Sequence, residues 1–168
     1  WNGIPVYSAG GKNFKINRPV TWARILIYLL RIHRKTKIDI IHSFWLSEAT
    51  LIGKVFSWLS NVPLLATAMG QDVKTSNKYL RILKYFRLDV VLISKFQSSF
   101  ITTLKKANVR NVIPFGIDSS FFKNKSAKRN TDIIGVGSLN KVKNYPDFIE
   151  IITIIAKRFP QVNCKIIG

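Results

Sequence analysis

The chain has 168 residues, which is enough for one ordinary domain or for parts of two. Because 47% of the residues are hydrophobic, it can bury a sizeable core, yet no apolar run approaches the roughly 18 residues that span a bilayer. Lys and Arg number 27 against 8 Asp and Glu, a formal net charge of +19. Such a balance favours anionic partners, whether nucleic acid, acidic lipid or phosphorylated small molecules, although an ordinary solvated basic surface would look the same.

The cysteine content, the spacing of potential metal ligands and the first residue allow further expectations. Cys164 is the only cysteine, so no intrachain disulfide forms and a reducing, cytoplasmic compartment is expected. No cluster of His, Cys and carboxylate side chains has the spacing of a metal site. The sequence has no signal peptide, and because it begins at Trp1 rather than Met, we expect an incomplete N-terminus.

Predicted helices and short apolar strands alternate along the chain. A loop region over residues 1–20 precedes an amphipathic helix at 20–37, whose polar face carries Arg24, Arg31 and Lys35. Further helices are predicted at 47–60, 76–86 and 97–106, and a last helix-period segment precedes the final strand. Strands are predicted at 39–42, 62–67, 90–93, 112–113, 133–136 and 164–167. Short, nearly all-apolar strands of this kind are typical of parallel sheets covered by helices, so the sequence predicts an α/β fold.

Unusual residues follow several of these strands. They form the segments HSFW at 42–45, MGQD at 69–72, PFGID at 114–118 and Gly137-Ser138 with Lys143. Ligands of open parallel sheets bind at the carboxyl ends of the strands, beside the next helix. Taken singly, each segment has a structural explanation, because glycine permits a positive φ, aspartate caps helices and a histidine can be buried and satisfied.

The last strand–loop–helix–strand unit, from Asp132 to Gly168, is the most informative stretch. Gly137 ends its first strand, and a short polar loop with Lys141 and Lys143 leads into the helix. A lysine at the carboxyl end of a parallel strand suits an anionic ligand such as a diphosphate.

Taken in order, these segments resemble the retaining glycosyltransferases of family 4. The series is DIIHSFW, VPLLATAMGQD, DVVLIS, VIPFGID and IIGVGSLNKVKN, followed by KIIG. IPFGID is similar to the family's IPNGVD segment, GVGSLNKVKN to its VGRL…EKG segment, and TAMGQD to its T-x-HG-x-D loop. The resemblance covers nearly the whole chain and implies the GT-B fold, in which two Rossmann-like parallel sheets are covered by helices.

The resemblance also implies a domain organisation and a reaction. Residues 1–118 would be part of the N-terminal, acceptor-side domain, 119–130 a linker, and 131–168 the first βαβ unit of the nucleotide-sugar-binding C-terminal domain. The reaction would be hexosyl transfer, with retention, from a UDP-, GDP- or ADP-sugar to a lipid-linked, cell-envelope or polysaccharide acceptor. No cofactor and no metal are implied, because the nucleotide sugar is a substrate. A fragment without the family's upstream glycine-rich loop and downstream Glu-x7-Glu pair is expected to be inactive alone.

The resemblance to the family also assigns site residues, position by position, to this sequence. Gly137, Ser138 and Lys143 would bind the donor diphosphate. The sugar and acceptor cleft would take the residues at the other strand ends, namely His42, Gly70, Asp72 and Gly116. Ser138 stands where the family commonly has arginine, and Met69 where many members have histidine, and no catalytic residue is nominated.

Two other functions remain open on the sequence alone. One is a non-catalytic or degenerate Rossmann-like module, suggested by Met69 and Ser138. The other is a basic nucleic-acid-binding protein, against which the basic residues show no interleaving with aromatics. The basic helix at 20–37 suggests docking at an anionic membrane surface on the inner face of the cell membrane, whereas the alternative is a surface helix packed on the sheet.

Overall fold

The computed structural model describes residues 3–10, 15–122 and 130–168, without the side chains of Lys15 and Thr103. The chain divides into two compact units, Trp1–Ile117 and Asp118–Gly168. The predicted linker at 119–130 contains a 3-10 helix at Ser119–Phe122, and its residues 123–129 lie outside the described part. The assignment of the units to acceptor-side and donor-side domains stays a prediction.

The first unit is a four-stranded parallel sheet with helices between its strands. The strands are β1 (Ile41–Phe44), β2 (Leu64–Ala68), β3 (Leu88–Leu92) and β4 (Ala107–Val112), paired in that order. The helices are α1 (Arg18–Lys35), α2 (Glu48–Ser60) and the single-turn α3 (Leu80–Leu83). This architecture confirms the predicted α/β fold with parallel strands.

The core lies against one face of this sheet. Alternate residues of the central strands, among them Ala66, Ala68, Val90 and Leu92, are fully buried against side chains from the loops and α3. Leu83 of α3 is also fully buried there. The intervening residues Thr67 and Val91 point to the opposite face and are also buried, so both faces of the central strands are covered.

Helix α2 begins and packs as the sequence indicates. Ser47 is its N-cap and accepts a hydrogen bond from the backbone N–H of Ala49 at 3.3 Å. Gly53 lets the helix approach the sheet closely, since an added Cβ would lie 3.0 Å from a methyl carbon of Leu64. Helix α1 packs on α2 less tightly, with the rings of His33 and Phe56 5.8 Å apart, and its apolar face is only half-buried.

Two predicted helices are wrong in extent or kind. The segment predicted as a helix at 97–106 forms two 3-10 helices, Lys95–Ser99 and Ile101–Thr103, and β4 already begins at Ala107. The helix predicted at 76–86 shrinks to α3, because the side chain of Asn77 is held by the carbonyl groups of Leu46 and Asp72, which lie upstream of the predicted helix. Local side-chain bonds of this kind compete with regular helix formation.

The second unit is a parallel pair of strands joined by a helix. Strands β5 (Ile133–Val136) and β6 (Cys164–Ile167) have the predicted bounds, and α4 (Tyr145–Arg158) connects them. Gly135 lies under the helix, where an added Cβ would be 3.2 Å from the ring of Phe148. The predicted strand–loop–helix–strand unit is therefore confirmed.

Among the residues that the structure describes, no helix is long and apolar enough to cross a membrane.

Candidate functional site

Asp72 fastens two loops at the carboxyl edge of the four-stranded sheet. Its side chain is 7% exposed, and its oxygens accept hydrogen bonds from the backbone N–H groups of Leu46 at 2.7 Å and Gly70 at 2.8 Å. The N–H of Met69 donates to both oxygens, at 3.0 and 3.1 Å. The loop after β1 and the loop after β2 are thus joined through one carboxylate, and its role in this geometry is to shape the loops.

Asn77 completes this connection and has no recognisable signal in the sequence. Its Nδ2 donates to the carbonyl oxygens of Leu46 and Asp72, each at 2.7 Å. Its Oδ1 accepts from the backbone N–H of Tyr79 at 3.0 Å. Because Leu46 lies far away in sequence, only the folded chain reveals that Asn77 supports the loop that contains Gly70.

Gln97 fastens the next loop along the sheet. Its Oε1 accepts from the N–H groups of Ile93 at 2.8 Å and Ser94 at 3.3 Å, and its Nε2 donates to the carbonyl oxygen of Ala68 at 3.3 Å. Ser94 and Gln97 form a capping box, a pattern that can be read from the sequence as Ser-x-x-Gln. The ends of β2 and β3 are therefore held together by a buried amide.

His42 is satisfied but not buried. It lies on β1, and its Nε2 is 2.7 Å from the hydroxyl of Thr67 on the neighbouring strand. Its exposed ring stacks at a tilt on Phe44, with centroids 4.3 Å apart. The Thr67 contact fixes the ring on one side, and no described residue bonds the second ring nitrogen, which can therefore meet a ligand.

Gly70 and Gly116 differ in whether the backbone at that position requires glycine. Gly70 has a φ of +145°, a conformation that side chains rarely adopt, so the loop needs glycine for its backbone. Gly116 has no positive φ, and an added Cβ there would meet nothing within 4 Å. Space beside Gly116 is open, whereas the shape of the loop at Gly70 is fixed.

Two pockets flank the 3-10 helix Gln71–Val73. One has a volume of about 430 Å³ and is lined in part by Ser47, Glu48 and Tyr79. The other has a volume of about 330 Å³ and lies beside Gly70. Burial, followed by the neighbouring Glu48 carboxylate, raises the pKa of Tyr79, since both oppose a phenolate. Neutral tyrosine, carboxylate and hydroxyl groups together make the larger pocket suited to hydrogen-bonding a polyol.

In the second unit, Gly137 and Lys143 are packed against each other. Gly137 has a φ of +152°, and an added Cβ would lie 3.1 Å from Cε and 3.3 Å from Cδ of Lys143. The lysine stem therefore crosses directly over the glycine, while its side chain remains exposed. Position 137 needs glycine for two reasons, which are the backbone conformation and the close approach of the lysine.

Asn140 and Tyr145 shape the loop that carries Lys143. The Oδ1 of Asn140 accepts from the N–H groups of Val142 at 3.1 Å and Lys143 at 3.3 Å, so it caps the 3-10 helix Lys141–Lys143. The hydroxyl of Tyr145 donates to the carbonyl oxygen of Gly137 at 2.8 Å. Neither residue was predicted as part of the site.

The same loop presents hydrogen-bond donors. Asn140 Nδ2 donates to the hydroxyl oxygen of Ser138 at 2.9 Å, which leaves the Ser138 O–H to donate to a ligand. Within the described residues, the backbone N–H groups of Ser138 and Leu139 have no partner. Asp147, in the first turn of α4, is occupied by the side-chain amide of Asn144. The cation of Lys143 and the loop donors, rather than the helix N-terminus, thus provide the anion-binding features.

The predicted site residues fall into both units. His42, Gly70, Asp72 and Gly116 belong to the first unit, and the remaining three, Gly137, Ser138 and Lys143, to the second. In the described part of the chain, no group of three or more His, Cys, Asp or Glu side chains could hold a metal ion.

Comparison with known proteins identifies a family. A family model described as glycosyl transferase 4-like matches residues 2–108, which is most of the first unit. No curated protein matches the chain.

Proposed function

Because the chain belongs to the glycosyl transferase 4-like family, we propose that it takes part in moving a sugar from a nucleotide-sugar donor to an acceptor, with retention at the anomeric carbon. In this proposal the two units contribute to a GT-B enzyme, the first on the acceptor side and the second on the donor side. The family match ends at residue 108, so the donor-side role rests on the geometry of the loop from Gly137 to Lys143.

That loop is the observation that carries the proposal. It combines an exposed lysine held over a glycine, an outward hydroxyl at Ser138 and two backbone N–H groups without a partner in the described residues. Such a set of donors can bind the oxygens of a diphosphate, because these oxygens are negatively charged and act only as hydrogen-bond acceptors. Ser138 supplies a neutral donor, so neutralisation of the diphosphate depends mainly on Lys143, with Lys141 nearby in sequence.

The chemical role of these groups follows from the leaving group. When the bond between sugar and diphosphate breaks, negative charge grows on the diphosphate while the sugar becomes oxocarbenium-like. Groups placed beforehand at the growing charge stabilise the transition state more than the ground state. Removing one contact of this type typically lowers the rate by about 10²–10³.

The acceptor side of the proposal rests on the carboxyl edge of the first sheet. Gly70 and Asp72 keep the loop in its observed shape, although Met69 offers no strong hydrogen bond to a sugar hydroxyl. We assign sugar or acceptor hydroxyls to the pocket beside Glu48 and Tyr79 and to His42. The proposed acceptor is a lipid-linked, cell-envelope or polysaccharide chain, and the proposed location is the cytoplasmic side of the cell membrane.

Calorimetric titration of the 168-residue chain with UDP-, GDP- and ADP-glucose tests the donor assignment. We expect one nucleotide sugar to bind and Lys143→Ala to weaken it at least tenfold, because a cation on the diphosphate is lost. Lys157→Ala on the exposed face of α4 is the matched control, since it removes the same charge elsewhere in the unit. Equal affinity of the two variants would contradict the assignment, and tight salt-sensitive binding of oligonucleotides in place of nucleotide sugars would support a nucleic-acid-binding protein instead.

A further inference from the structure

Trp45 holds a backbone conformation that a bulky residue rarely adopts. It directly follows β1, and its φ is +71°, in the left-handed region. Among the residues that the structure describes, the other non-glycine residues with a positive φ are Asn61 and Asn144, and asparagine tolerates this region. A tryptophan in the same conformation is strained, so the fold loses stability by placing it there.

Hydrogen bonds on both sides of Trp45 hold it in this conformation. Its N–H donates to the carbonyl oxygen of Thr67 at 3.0 Å. Its carbonyl oxygen accepts from the N–H of Ser47 at 2.9 Å and from the hydroxyl of Thr50 at 2.8 Å. Thr50 is fully buried, and its oxygen lies 3.0 Å from the hydroxyl oxygen of the buried Ser43. The strain therefore persists because a buried set of bonds determines the backbone at this position.

The indole of Trp45 has no ring or hydrogen-bond partner in the described part of the chain. The residue is 48% exposed, no other aromatic ring stacks on it, and its ring N–H donates to no described residue. The next residue, Leu46, is by contrast fully buried in the core. Strained residues concentrate at binding sites, where the position of a side chain matters more than its cost in stability. An exposed ring held in this way indicates a ligand that stacks on it.

Trp45 also lines the pocket of about 430 Å³ beside Glu48 and Tyr79, a volume within the range of small-molecule sites. Most of the other lining side chains are polar, among them Ser47, Glu48, Gln71, Ser76 and Tyr79. Within the described residues, Glu48 forms no ion pair, and its carboxylate lies beside the hydroxyl of Tyr79. The pocket thus combines one aromatic face with several groups that donate or accept hydrogen bonds.

We propose that Trp45 is a stacking platform for a pyranose ring of the acceptor and thereby selects a saccharide over an open-chain polyol. The C–H groups on one face of a pyranose carry partial positive charge and are attracted to the negative face of the indole. The hydroxyls around the edge of the same ring can bond to Glu48 and Tyr79. The acceptor role rests on the proposed sugar transfer, whereas saccharide binding at Trp45 can be tested by itself.

The charges of the pocket favour a neutral sugar ring. Its lining contains the carboxylates of Glu48 and Asp72, and of these only Asp72 is occupied by backbone N–H groups. No Lys or Arg lines the pocket in the described part of the chain, and Arg18 acts on Tyr79 from outside the lining. A phosphate or carboxylate group would therefore meet the unpaired charge of Glu48 and be disfavoured.

Indole N–H signals of the ¹⁵N-labelled chain test the proposal directly. The chain has four tryptophans, and the signal that is missing from the spectrum of Trp45→Phe identifies Trp45. Methyl β-glucoside and cellobiose are expected to shift the Trp45 signal, whereas sorbitol, which has hydroxyls but no ring, is expected to leave it in place. Trp58 on α2 is 80% exposed and is the internal control, because unspecific stacking of sugars would shift its signal as well.

Trp45→Asn separates a binding role from a structural one. Asparagine tolerates the φ of +71° but has no ring face, so cellobiose affinity, followed by the amide signals of Gln71 and Tyr79, should fall at least tenfold. The urea midpoint of the same variant should equal or exceed that of the wild type, because the strain is relieved. Trp45→Phe keeps a smaller ring and should lose less affinity than Trp45→Asn.

Different failures lead to different conclusions. If no saccharide shifts the Trp45 signal while a nucleotide sugar still binds, the stacking platform is overturned and the donor site stands. An equal response to sorbitol, an equal shift of Trp58 or a larger shift with UDP would also overturn it. A lowered urea midpoint of Trp45→Asn with unchanged cellobiose affinity would assign the ring to the fold. Selective saccharide shifts at Trp45 without binding of any nucleotide sugar would support the platform and refute sugar transfer alone.

Discussion

Replacing Asp72 is expected to destabilise the first unit markedly. The carboxylate accepts from three backbone N–H groups, those of Leu46, Met69 and Gly70. Hydrogen bonds to a charged group contribute about 1.5–3 kcal/mol each, but Met69 and Gly70 are partly exposed, so water replaces some of what they lose. Only the N–H of Leu46, a fully buried residue, would be left unsatisfied. We therefore expect Asp72→Ala to lower the free energy of unfolding by about 2–4 kcal/mol.

Urea denaturation followed by tryptophan fluorescence measures this effect in the correct unit. All four tryptophans lie within Trp1–Ile117, so their emission reports on the first unit alone. Asp72→Asn keeps one acceptor oxygen and is expected to lose about 1–3 kcal/mol. Asp39→Asn, at an exposed carboxylate, is the control and should stay within about 0.5 kcal/mol of the wild type. If Asp72→Ala lost less than about 1 kcal/mol, the carboxylate would not be what fastens these loops.

Three further results are expected. Gly70→Ala should lower the free energy of unfolding by about 1 kcal/mol or more, because residue 70 has a φ of +145°. Gly116→Ala, with open space around it, should change that free energy by less than about 0.5 kcal/mol. Equal losses for the two variants in urea denaturation would contradict this contrast. Gly137→Ala should displace the Lys143 stem and weaken nucleotide-sugar binding at least tenfold in calorimetry, and unchanged affinity would show that the close packing is not required. The raised pKa of Tyr79 means that its stabilising contribution is complete below the pKa of an unfolded tyrosine, about 10, and is lost at higher pH. Wild-type stability should therefore fall relative to Tyr79→Phe above that pH, and parallel stability curves would refute the assigned environment.

The sequence predicted local features well. The strands at 133–136 and 164–167 have the predicted bounds, because a short apolar run between polar loops defines where the strand begins and ends. The helix predicted at 47–60 also forms, and its first turn is fixed locally because the Ser47 cap involves only a neighbouring N–H group. In each case the decisive interactions lie within a few residues.

Features decided by distant contacts were missed. The helix predicted at 97–106 does not form, because Gln97 bonds to Ala68 and to the loop after β3 while Ile101 and Leu104 join the core. Asn77 gave no signal, since its partner Leu46 lies 31 residues away. The predicted site residues other than His42, which lies within β1, follow strands. That Asp72 shapes loops while Lys143 is held over Gly137 follows only from the folded chain.

The donor site is tested most directly by mapping amide chemical shifts of the ¹⁵N-labelled chain during titration with UDP, GDP and ADP. If the loop from Gly137 to Lys143 binds a diphosphate, the largest changes for one nucleotide will lie at Ser138, Leu139 and Lys143, and they will disappear in Lys143→Ala. Changes confined to the first unit, or spread along the basic face of α1 with the same size for all three nucleotides, would contradict the account.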